Sequence, residues 1–362
     1  MIAGSFKLFE IGGTAVRVHP TFFLLLAWIA TVYWLKGGPQ EALYGLAFIV
    51  ILFVCVVLHE FGHIMMARRY GIKTPDVTLL PIGGVASLER MPEKPDREIM
   101  VALAGPAVNL VLATLLLVLL GGQIDFEKLK RIEHEPIDLL SQIALANIVL
   151  FVFNLIPAFP MDGGRVLRAI LAFNMGYARA TRMAATIGQG IAIVFGVLGL
   201  LGNPVLILVA LFIFMAASGE AGYVEARALM RGYSAADAMI SKYETLRVDE
   251  DLDAAAKKLL ETTQQEFPIV DGAGQLRGVL TRDNLIISRR ENGGATPALE
   301  AMTPNIPTVE AGASLESVFE LLQKEQVPVV AVVDVDQKLV GYISSENLAE
   351  LMMIDVSERR QS

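Results

Sequence analysis

The sequence predicts an α-helical polytopic membrane protein, with about six transmembrane helices and a re-entrant β segment, followed by an α/β tail. Hydrophobic residues make up 54% of the 362-residue chain and charged residues only 19%, which is more apolar than an average soluble protein. Charge is unevenly placed: residues 1–224 carry sixteen basic and fifteen acidic side chains, residues 225–362 fourteen and twenty-three. The acidic last third also repeats itself, which is typical of stacked modules.

The membrane portion is predicted from apolar runs long enough to cross a bilayer, which takes about 20 residues. Nothing in the first 19 residues resembles a cleavable signal peptide, so we expect the first run to be retained. Of the eighteen Lys and Arg residues around the runs, fourteen fall on one side, which predicts a multi-pass cell-membrane protein with both termini and the tail in the cytoplasm. The runs cover residues 20–36, 42–66, 98–121, 138–157, 183–201 and 203–222.

The acidic tail contains an internal repeat with an offset of 63 residues. Residues 270–285 align on residues 333–348 without a gap, and Gly278 and Leu285 meet identical residues. Each unit has the pattern helix, strand, turn, strand, helix, with a helix over 252–262 and strands over 266–270 and 278–280 in the first unit. This pattern resembles a pair of CBS (cystathionine-β-synthase) domains, which we place at residues 225–290 and 291–362, after a membrane domain over residues 1–224.

The resemblance to CBS pairs implies an adenine nucleotide in the cleft between the repeats and a homodimer formed through a second pair. In that pattern a Ser or Thr precedes by three residues an Asp that binds the ribose. Here an amide replaces the Asp at both positions, so a nucleotide-binding role and a purely structural or dimerising role both stay open. The acidic excess gives no reason to expect a nucleic-acid partner. The corresponding residues are Thr281 with Asn284, and Ser344 with Asn347.

The second apolar run contains the sequence HEFGH at residues 59–63. His59 and His63 are four residues apart, so on a helix they share one face and can bind one metal ion, with Glu60 beside them as general base. A catalytic zinc commonly takes three protein ligands and activates a water. Ionisable groups within a membrane segment are costly and usually functional, so this cluster indicates a site rather than a chance arrangement.

The sequence FNLIPAFPMDGGRVLRA, residues 153–169, is the best source of a third ligand. Its prolines interrupt the fourth apolar run, and its glycines allow tight turns. Asp162 lies in this broken stretch, where a metal ion would compensate its charge. The alternative is that Asp162 caps a helix that starts near Arg165.

The two motifs together, HEFGH and NLIPAFPMDGGR, resemble the site-2 protease family of intramembrane zinc metalloproteases. The resemblance implies that His59, His63 and Asp162 bind one zinc ion and that Glu60 is the general base. Asn154 matches the family's asparagine and can donate to the developing oxyanion, or it can instead bond backbone freed by the nearby prolines. The implied reaction is hydrolysis of a peptide bond in or near a transmembrane segment of another membrane protein, which is regulated intramembrane proteolysis.

Two further segments fit a membrane site. Residues 78–90 are too short to cross, and Pro81 with Gly83 and Gly84 prevents a regular helix, so we expect a re-entrant loop or short strands. The resembled family pairs such an edge with unwound substrate, which implies substrate contacts at the two glycines; the alternative is a surface hairpin. In LAGPAVNL, residues 103–110, Asn109 either faces the site or supports helix packing.

Two alternatives from other classes remain at this point. A CBS-regulated transporter or channel would suit six crossings and a tail, but it explains the combination of His59, Glu60, His63 and Asp162 poorly. A metal-binding but inactive relative would keep the ligands, yet the presence of Glu60 disfavours it.

Overall fold

The computed structural model describes residues 4–81, 83–86, 91–121 and 136–359. The chain divides into two compact units, Met1–Gly222 and Tyr223–Ser362. The first unit is helical with one small sheet, and the second alternates short strands and helices. The predicted fold class is therefore confirmed.

The helices of the first unit include most of the predicted crossings. In the described residues, five helices are long and apolar enough to span a bilayer. The fourth predicted crossing forms a helix whose apolar part, Leu139–Asn154, is shorter than these, because the prolines that follow Asn154 end it. The helices are α1 (Pro20–Gly37), α2 (Pro39–Arg69), α3 (Pro95–Leu119), α4 (Pro136–Asn154), α5 (Asp162–Ala172), α6 (Tyr177–Leu201) and α7 (Val205–Leu229).

Proline starts several of these helices. Pro20, Pro39 and Pro95 each occupy a first helical position, where the missing N–H costs nothing. The helix α2 has 31 residues and is roughly 46 Å long at 1.5 Å per residue, which exceeds the thickness of the hydrocarbon core. His59 and His63 lie in its last third, toward the end with Arg68 and Arg69.

A four-stranded sheet accompanies the helices. It contains β1 (Phe6–Ile11), β2 (Thr14–Val18), β3 (Asp76–Leu80) and β4 (Gly83–Ala86), in that order across the sheet. β2 and β3 are parallel, and the outer pairs are antiparallel. The expectation of short strands within residues 78–90 is confirmed for β3 and β4, while residues 82 and 87–90 lie outside the described part of the chain.

The second unit repeats its elements at the predicted offset. β6 (Glu266–Val270) and β7 (Leu276–Thr281) recur 63 residues later as β10 (Val329–Val333) and β11 (Leu339–Ser344). The predicted strand at 278–280 begins two residues earlier in the structure. The remaining elements are α8 (Ala235–Ala238), β5 (Leu246–Arg247), α9 (Leu252–Glu261), α10 (Arg282–Asn292), α11 (Ala298–Ala301), β8 (Thr303–Pro304), β9 (Thr308–Glu310), α12 (Leu315–Glu325) and α13 (Ser345–Arg359).

The repeat extends to the cores of the two halves. The strands form one sheet in the order β5-β6-β7-β8 and another in the order β11-β10-β9. Phe267 and Leu280 are fully buried in the first half, and their counterparts Val330 and Ile343 are fully buried in the second. Each half thus buries its own apolar cluster, as expected for duplicated modules.

Candidate functional site

Three buried side chains from two helices converge in the first unit. His59 and His63 project from one face of α2, and Asp162 is the first residue of α5. The two Nε2 atoms lie 3.0 Å apart. Oδ2 of Asp162 lies 3.3 Å from Nε2 of His59 and 3.2 Å from Nε2 of His63. The structure therefore brings together the three residues predicted to bind metal.

The other ring nitrogen of each histidine has its own hydrogen-bond acceptor. Nδ1 of His59 donates to Oδ1 of Asn109 at 2.5 Å, and Nδ1 of His63 donates to the carbonyl of Val101 at 2.7 Å. The proton on Nδ1 leaves a lone pair on Nε2, which is the form that binds metals. Asn109 therefore faces the site, and its amide nitrogen also donates a helix–helix hydrogen bond to Asn147 at 2.9 Å, so it fills both of the roles that the sequence left open.

The three atoms fit a zinc ion. With ligands at 2.0–2.2 Å, the edges of a tetrahedral zinc site measure about 3.3–3.6 Å, and the separations seen here, 3.0–3.3 Å, are slightly shorter. Two imidazole lone pairs and a carboxylate oxygen repel one another unless a cation lies between them. The space is also kept clear by Gly105, where an added Cβ would lie 2.2 Å from Nε2 of His63 and 2.7 Å from Nε2 of His59.

The side chain of Asp162 does not cap a helix. α5 begins at Asp162 itself, and its N-cap residue, Met161, makes no side-chain cap bond. The two glycines that follow let the helix pack against the broken segment before it, because a Cβ on Gly163 would lie 2.4 Å from the carbonyl oxygen of Ile156, and one on Gly164 would lie 2.6 Å from Ala158. The carboxylate is thus free to face the histidines.

A cavity of about 360 Å³ opens beside the three ligands. Glu60 lines it next to His59, and β4 passes close by, since a Cβ on Gly84 would lie 3.0 Å from Cγ of Glu60. The cavity therefore joins a carboxylate base, a strand edge and the ligand cluster. Its remaining lining is mostly apolar or amide: Gly83, Ala86, Phe153, Asn154, Pro160, Met161, Arg165 and Phe212.

Asn154 is the last residue of α4 and lines this cavity half-buried. Its side chain makes no hydrogen bond with any residue that the structure describes. The amide therefore does not bond the backbone freed by the prolines, and its donors are available to a ligand in the cavity.

The strand β4 lies at the edge of the sheet. Among the described residues it pairs with β3 alone, through Val77 to Leu80. Gly83 has φ +135°, a conformation that favours glycine. An open strand edge beside a cavity can pair with an extended peptide.

A buried ionic cluster near the site was not predicted. Arg168 on α5 donates from Nε to Glu98 of α3 at 2.7 Å and from Nη1 to Glu220 of α7 at 2.5 Å. Its guanidinium also lies over the rings of Phe159 and Tyr177. The partners are separated by 70 and 52 residues along the chain, so no local spacing in the sequence indicates them. The cluster ties α5, which carries Asp162, to α3, which orients both histidines.

A second cavity, of about 770 Å³, lies in the tail unit. Ser344 and Asn347 line it, and Oγ of Ser344 donates to Oδ1 of Asn347 at 2.8 Å. Thr281 and Asn284 are not among its lining residues. Thr281 instead caps α10, and Asn284 donates to the hydroxyl of Thr303. The structure thus brings only one of the two predicted Ser/Thr–Asn pairs to this cleft.

The cleft carries an excess of negative charge. Four carboxylates line it with a single basic residue, Lys242, and none of the four forms an ion pair with a described residue. Burial and the nearby charge of Glu346 raise the pKa of Glu266. Tyr342 is only 1% exposed, yet it lines the cleft and its hydroxyl has no described hydrogen-bond partner. The four carboxylates belong to Glu244, Glu266, Glu346 and Glu350.

Family models match both units. The model described as peptidase family M50 matches residues 47–132 and 119–197, which include all three ligands and Glu60. The CBS domain model matches residues 235–290 and 298–354.

The chain is also similar to individual known proteins. A zinc metalloprotease of Methanocaldococcus jannaschii is 35% identical over 282 residues, which are 78% of this chain and 79% of the relative. Stage IV sporulation protein FB of Bacillus subtilis is 28% identical over 64% of this chain and 76% of its own length. The solved structure of a site-2 protease from Methanocaldococcus jannaschii has 38% identity and a TM-score of 0.45, and covers 60% of this chain and 95% of that chain.

Proposed function

The chain belongs to peptidase family M50 and is a multi-pass, zinc-dependent intramembrane metalloprotease with CBS domains, and on that premise we propose the residues and substrate of its reaction. His59, His63 and Asp162 hold one zinc ion per chain, and Glu60 is the general base. The substrate is a peptide bond in or near a transmembrane segment of another membrane protein. This membership favours hydrolysis over a transporter or channel.

The observation that carries the proposal is the convergence of three buried ligand atoms beside a cavity that also contains Glu60. A zinc ion in such a site supplies a Lewis acid that polarises a carbonyl and makes water acidic near neutral pH. Glu60 accepts a proton as the water oxygen attacks the peptide carbon. It then delivers that proton to the amide nitrogen as the carbon–nitrogen bond breaks, so the base is restored.

The cavity also suggests how the peptide is held. The amide of Asn154 donates to the carbonyl oxygen that gains charge during the attack. The edge of β4 at Gly83 and Gly84 pairs with the main chain of the unwound substrate, which exposes its peptide bond to Glu60. A transmembrane helix must lose its internal hydrogen bonds before it can be cut, and pairing with β4 replaces some of them.

The orientation of the chain follows from the asymmetry of its basic residues. Both termini and the CBS tail are cytoplasmic, and the site lies toward that face because Arg68 and Arg69 end α2 close to it. Water reaches the cavity from the cytoplasm, and the released product is a cytoplasmic fragment of the substrate. We also propose that residues 1–224 form the membrane domain and that residues 225–290 and 291–362 form the two CBS domains.

The test uses the full chain in detergent, with wild type, Glu60→Gln and Asp162→Ala. Bound zinc is measured together with cleavage of a model transmembrane substrate. We expect about one zinc in wild type and in Glu60→Gln, cleavage by wild type alone, and weakened zinc binding in Asp162→Ala. Cleavage by Glu60→Gln at the rate of wild type would exclude Glu60 as the base. If the wild-type protein holds zinc but cleaves no substrate, the alternative that this chain is a metal-binding but inactive member of the family is favoured.

The tail cleft takes an adenine nucleotide or a related adenosine compound, and a second CBS pair completes a homodimer. Ser344, Asn347 and Tyr342 supply hydroxyl and amide groups for the sugar or base. Thr281 and Asn284, the other predicted pair, are proposed for the equivalent position of the first repeat. The four carboxylates repel phosphate groups, so affinity should fall in the order adenosine, AMP, ATP.

Calorimetric titration of the full chain with these three compounds tests the cleft. Ser344→Ala should weaken binding in this cleft, whereas Thr281→Ala should weaken only binding at the equivalent position of the first repeat. Absence of binding of all three compounds would leave the tail a structural or dimerising role. The molar mass of the full chain, measured by light scattering, then shows whether the protein is a monomer or the proposed homodimer.

A further inference from the structure

We propose that Arg165 is a catalytic residue, which binds the carbonyl oxygen of the scissile peptide and stabilises the negative charge that develops on it. This inference rests on the proposed protease function. It adds a fixed positive charge to a cavity for which Asn154 offers only a neutral donor.

Arg165 is placed to contact a peptide in the cavity. It lies on α5, one turn after Asp162, and lines the cavity together with His59 and Glu60. Its side chain is 31% exposed. Attack by water at the peptide carbon would therefore occur in a space that Arg165 borders.

The hydrogen-bond donors of Arg165 are not used within the described protein. Its Nη1 lies 3.8 Å from Oδ1 of Asp162, which is an ion-pair distance but is beyond hydrogen-bond range. The guanidinium makes no hydrogen bond to any other described residue. Five N–H donors in a fixed planar arrangement are thus available to an acceptor in the cavity.

Arg168, one turn further along α5, shows the opposite arrangement. It is 1% exposed, its donors are directed at Glu98 and Glu220, and two aromatic rings cover its faces. A side chain bound in this way holds helices together. Arg165 has neither the carboxylate pair nor the aromatic cover, and its one ion-pair partner among the described residues is Asp162 on its own helix, so it does not hold helices together.

The chemistry favours a cation at this point. As the water oxygen bonds to the peptide carbon, the π electrons of the carbonyl move onto its oxygen, and Glu60 takes the proton that the water loses. When the carbon–nitrogen bond breaks, the carbonyl reforms and the nitrogen receives that proton. A pre-placed guanidinium interacts with the charged oxygen much more strongly than with the neutral carbonyl, and a cavity with apolar walls weakens this attraction less than water does.

The experiment compares Arg165→Met, Arg165→Lys and Arg165→Ala with Arg179→Met. Arg179 is an exposed arginine on α6 that does not line the cavity, so its variant removes one positive charge elsewhere. Each variant is purified in detergent and assayed for bound zinc, kcat and KM on the model substrate. We expect Arg165→Met to keep its zinc and to lose about 100- to 1,000-fold in kcat, the typical cost of one oxyanion donor.

Three further results decide the role. Millimolar ethylguanidine should restore part of the kcat of Arg165→Ala, and Arg165→Lys should keep more activity than Arg165→Met. The double variant Glu60→Gln, Arg165→Met should bind uncut substrate as tightly as the single variant Glu60→Gln does. An Arg165→Met enzyme within twofold of wild type in kcat would overturn the proposal, and so would a loss of activity that matches a loss of zinc, because Arg165 would then only support Asp162. Failure of wild type to hold zinc or to cut would instead refute the proposed function.

Discussion

Oδ1 of Asn109 accepts a hydrogen bond from Nδ1 of His59 at 2.5 Å, while the amide nitrogen of Asn109 donates a hydrogen bond to Oδ1 of Asn147 at 2.9 Å. Asn109 and Asn147 are both fully buried, and Asn147 in turn donates to the carbonyl of Ile143 within α4. The orientation of a ligand on α2 is thus fixed by a chain of amides through α3 to α4. Such partners of metal ligands influence affinity without touching the metal.

Asn109→Ala should weaken zinc binding. Without the acceptor, the ring of His59 is free to rotate and to change its tautomer, and loss of such a partner typically costs about 10- to 100-fold in metal affinity. Competition with a chromogenic chelator measures this. Thr114→Ala is the matched control, since Thr114 is exposed on the same helix and bonds only the carbonyl of Leu110. Equal zinc affinity in Asn109→Ala and wild type would show that the amide does not orient the ligand.

Gly105→Ala should prevent zinc binding almost completely. The added Cβ would lie within 2.7 Å of both Nε2 atoms and would occupy the space between the ligands. The control is Gly190→Ala on α6, where a Cβ meets nothing within 4 Å. Zinc per chain by atomic absorption should be near one in the control and below about a tenth in Gly105→Ala, because the ligands cannot separate without moving α2 from α3.

Gly84→Ala should lower cleavage while zinc is retained. Its Cβ would lie 3.0 Å from Cγ of Glu60 and 3.1 Å from Cγ1 of Val56, so Glu60, the proposed general base, must shift. The shift needed is a few tenths of an ångström. Because a displacement of about 1 Å can cost about 100-fold, we expect a loss in kcat well below that figure. The measurement is kcat on the model substrate, with Gly219→Ala, which meets nothing within 4 Å, as control. If both variants cut equally well, the base does not depend on the approach of β4.

Glu266→Gln should stabilise the tail unit, and the gain should depend on pH. Burial and Glu346 raise the pKa of Glu266 in the folded state above its ordinary value of 4.5. Unfolding lowers that pKa, so the carboxylate favours the unfolded state once pH rises above 4.5, and the penalty is complete above the folded pKa. Hydrogen exchange of β6 and β7 in the full chain should therefore be slower in Glu266→Gln at pH 7 and equal to wild type near pH 4. Equal exchange at both values would contradict the shift.

The sequence predicted the parts of the site that depend on short spacing. On a helix, HEFGH places two imidazoles on one face whatever the rest of the chain does. The repeat offset of 63 residues likewise predicted that the helices and strands of the first half of the tail recur in the second half. The third ligand needed the motif around Asp162, because helix geometry alone does not say which helix meets α2. The same limit left the role of Asn109 open, since a buried amide suits both packing and a ligand partner.

The N-terminal hairpin was missed although its signal is local. Two strand-like runs flank Gly12-Gly13, a glycine pair that is typical of a tight hairpin turn, and both glycines have positive φ. The cluster of Glu98, Arg168 and Glu220 differs, because its partners come from three distant helices and only the folded chain brings them together.

The pairing of Glu98 with Arg168 also bears on the biogenesis of the protein. Glu98 leaves the ribosome 70 residues before Arg168, with α3 and α4 between them. A lone carboxylate is expensive to move out of water, so the first turn of α3 has to stay hydrated until α5 supplies its guanidinium. We therefore expect α3 to move from the translocon into its final place only once α5 is available. Since α5 carries Asp162 in its first turn, we expect the proposed zinc site to assemble at the same late stage of insertion.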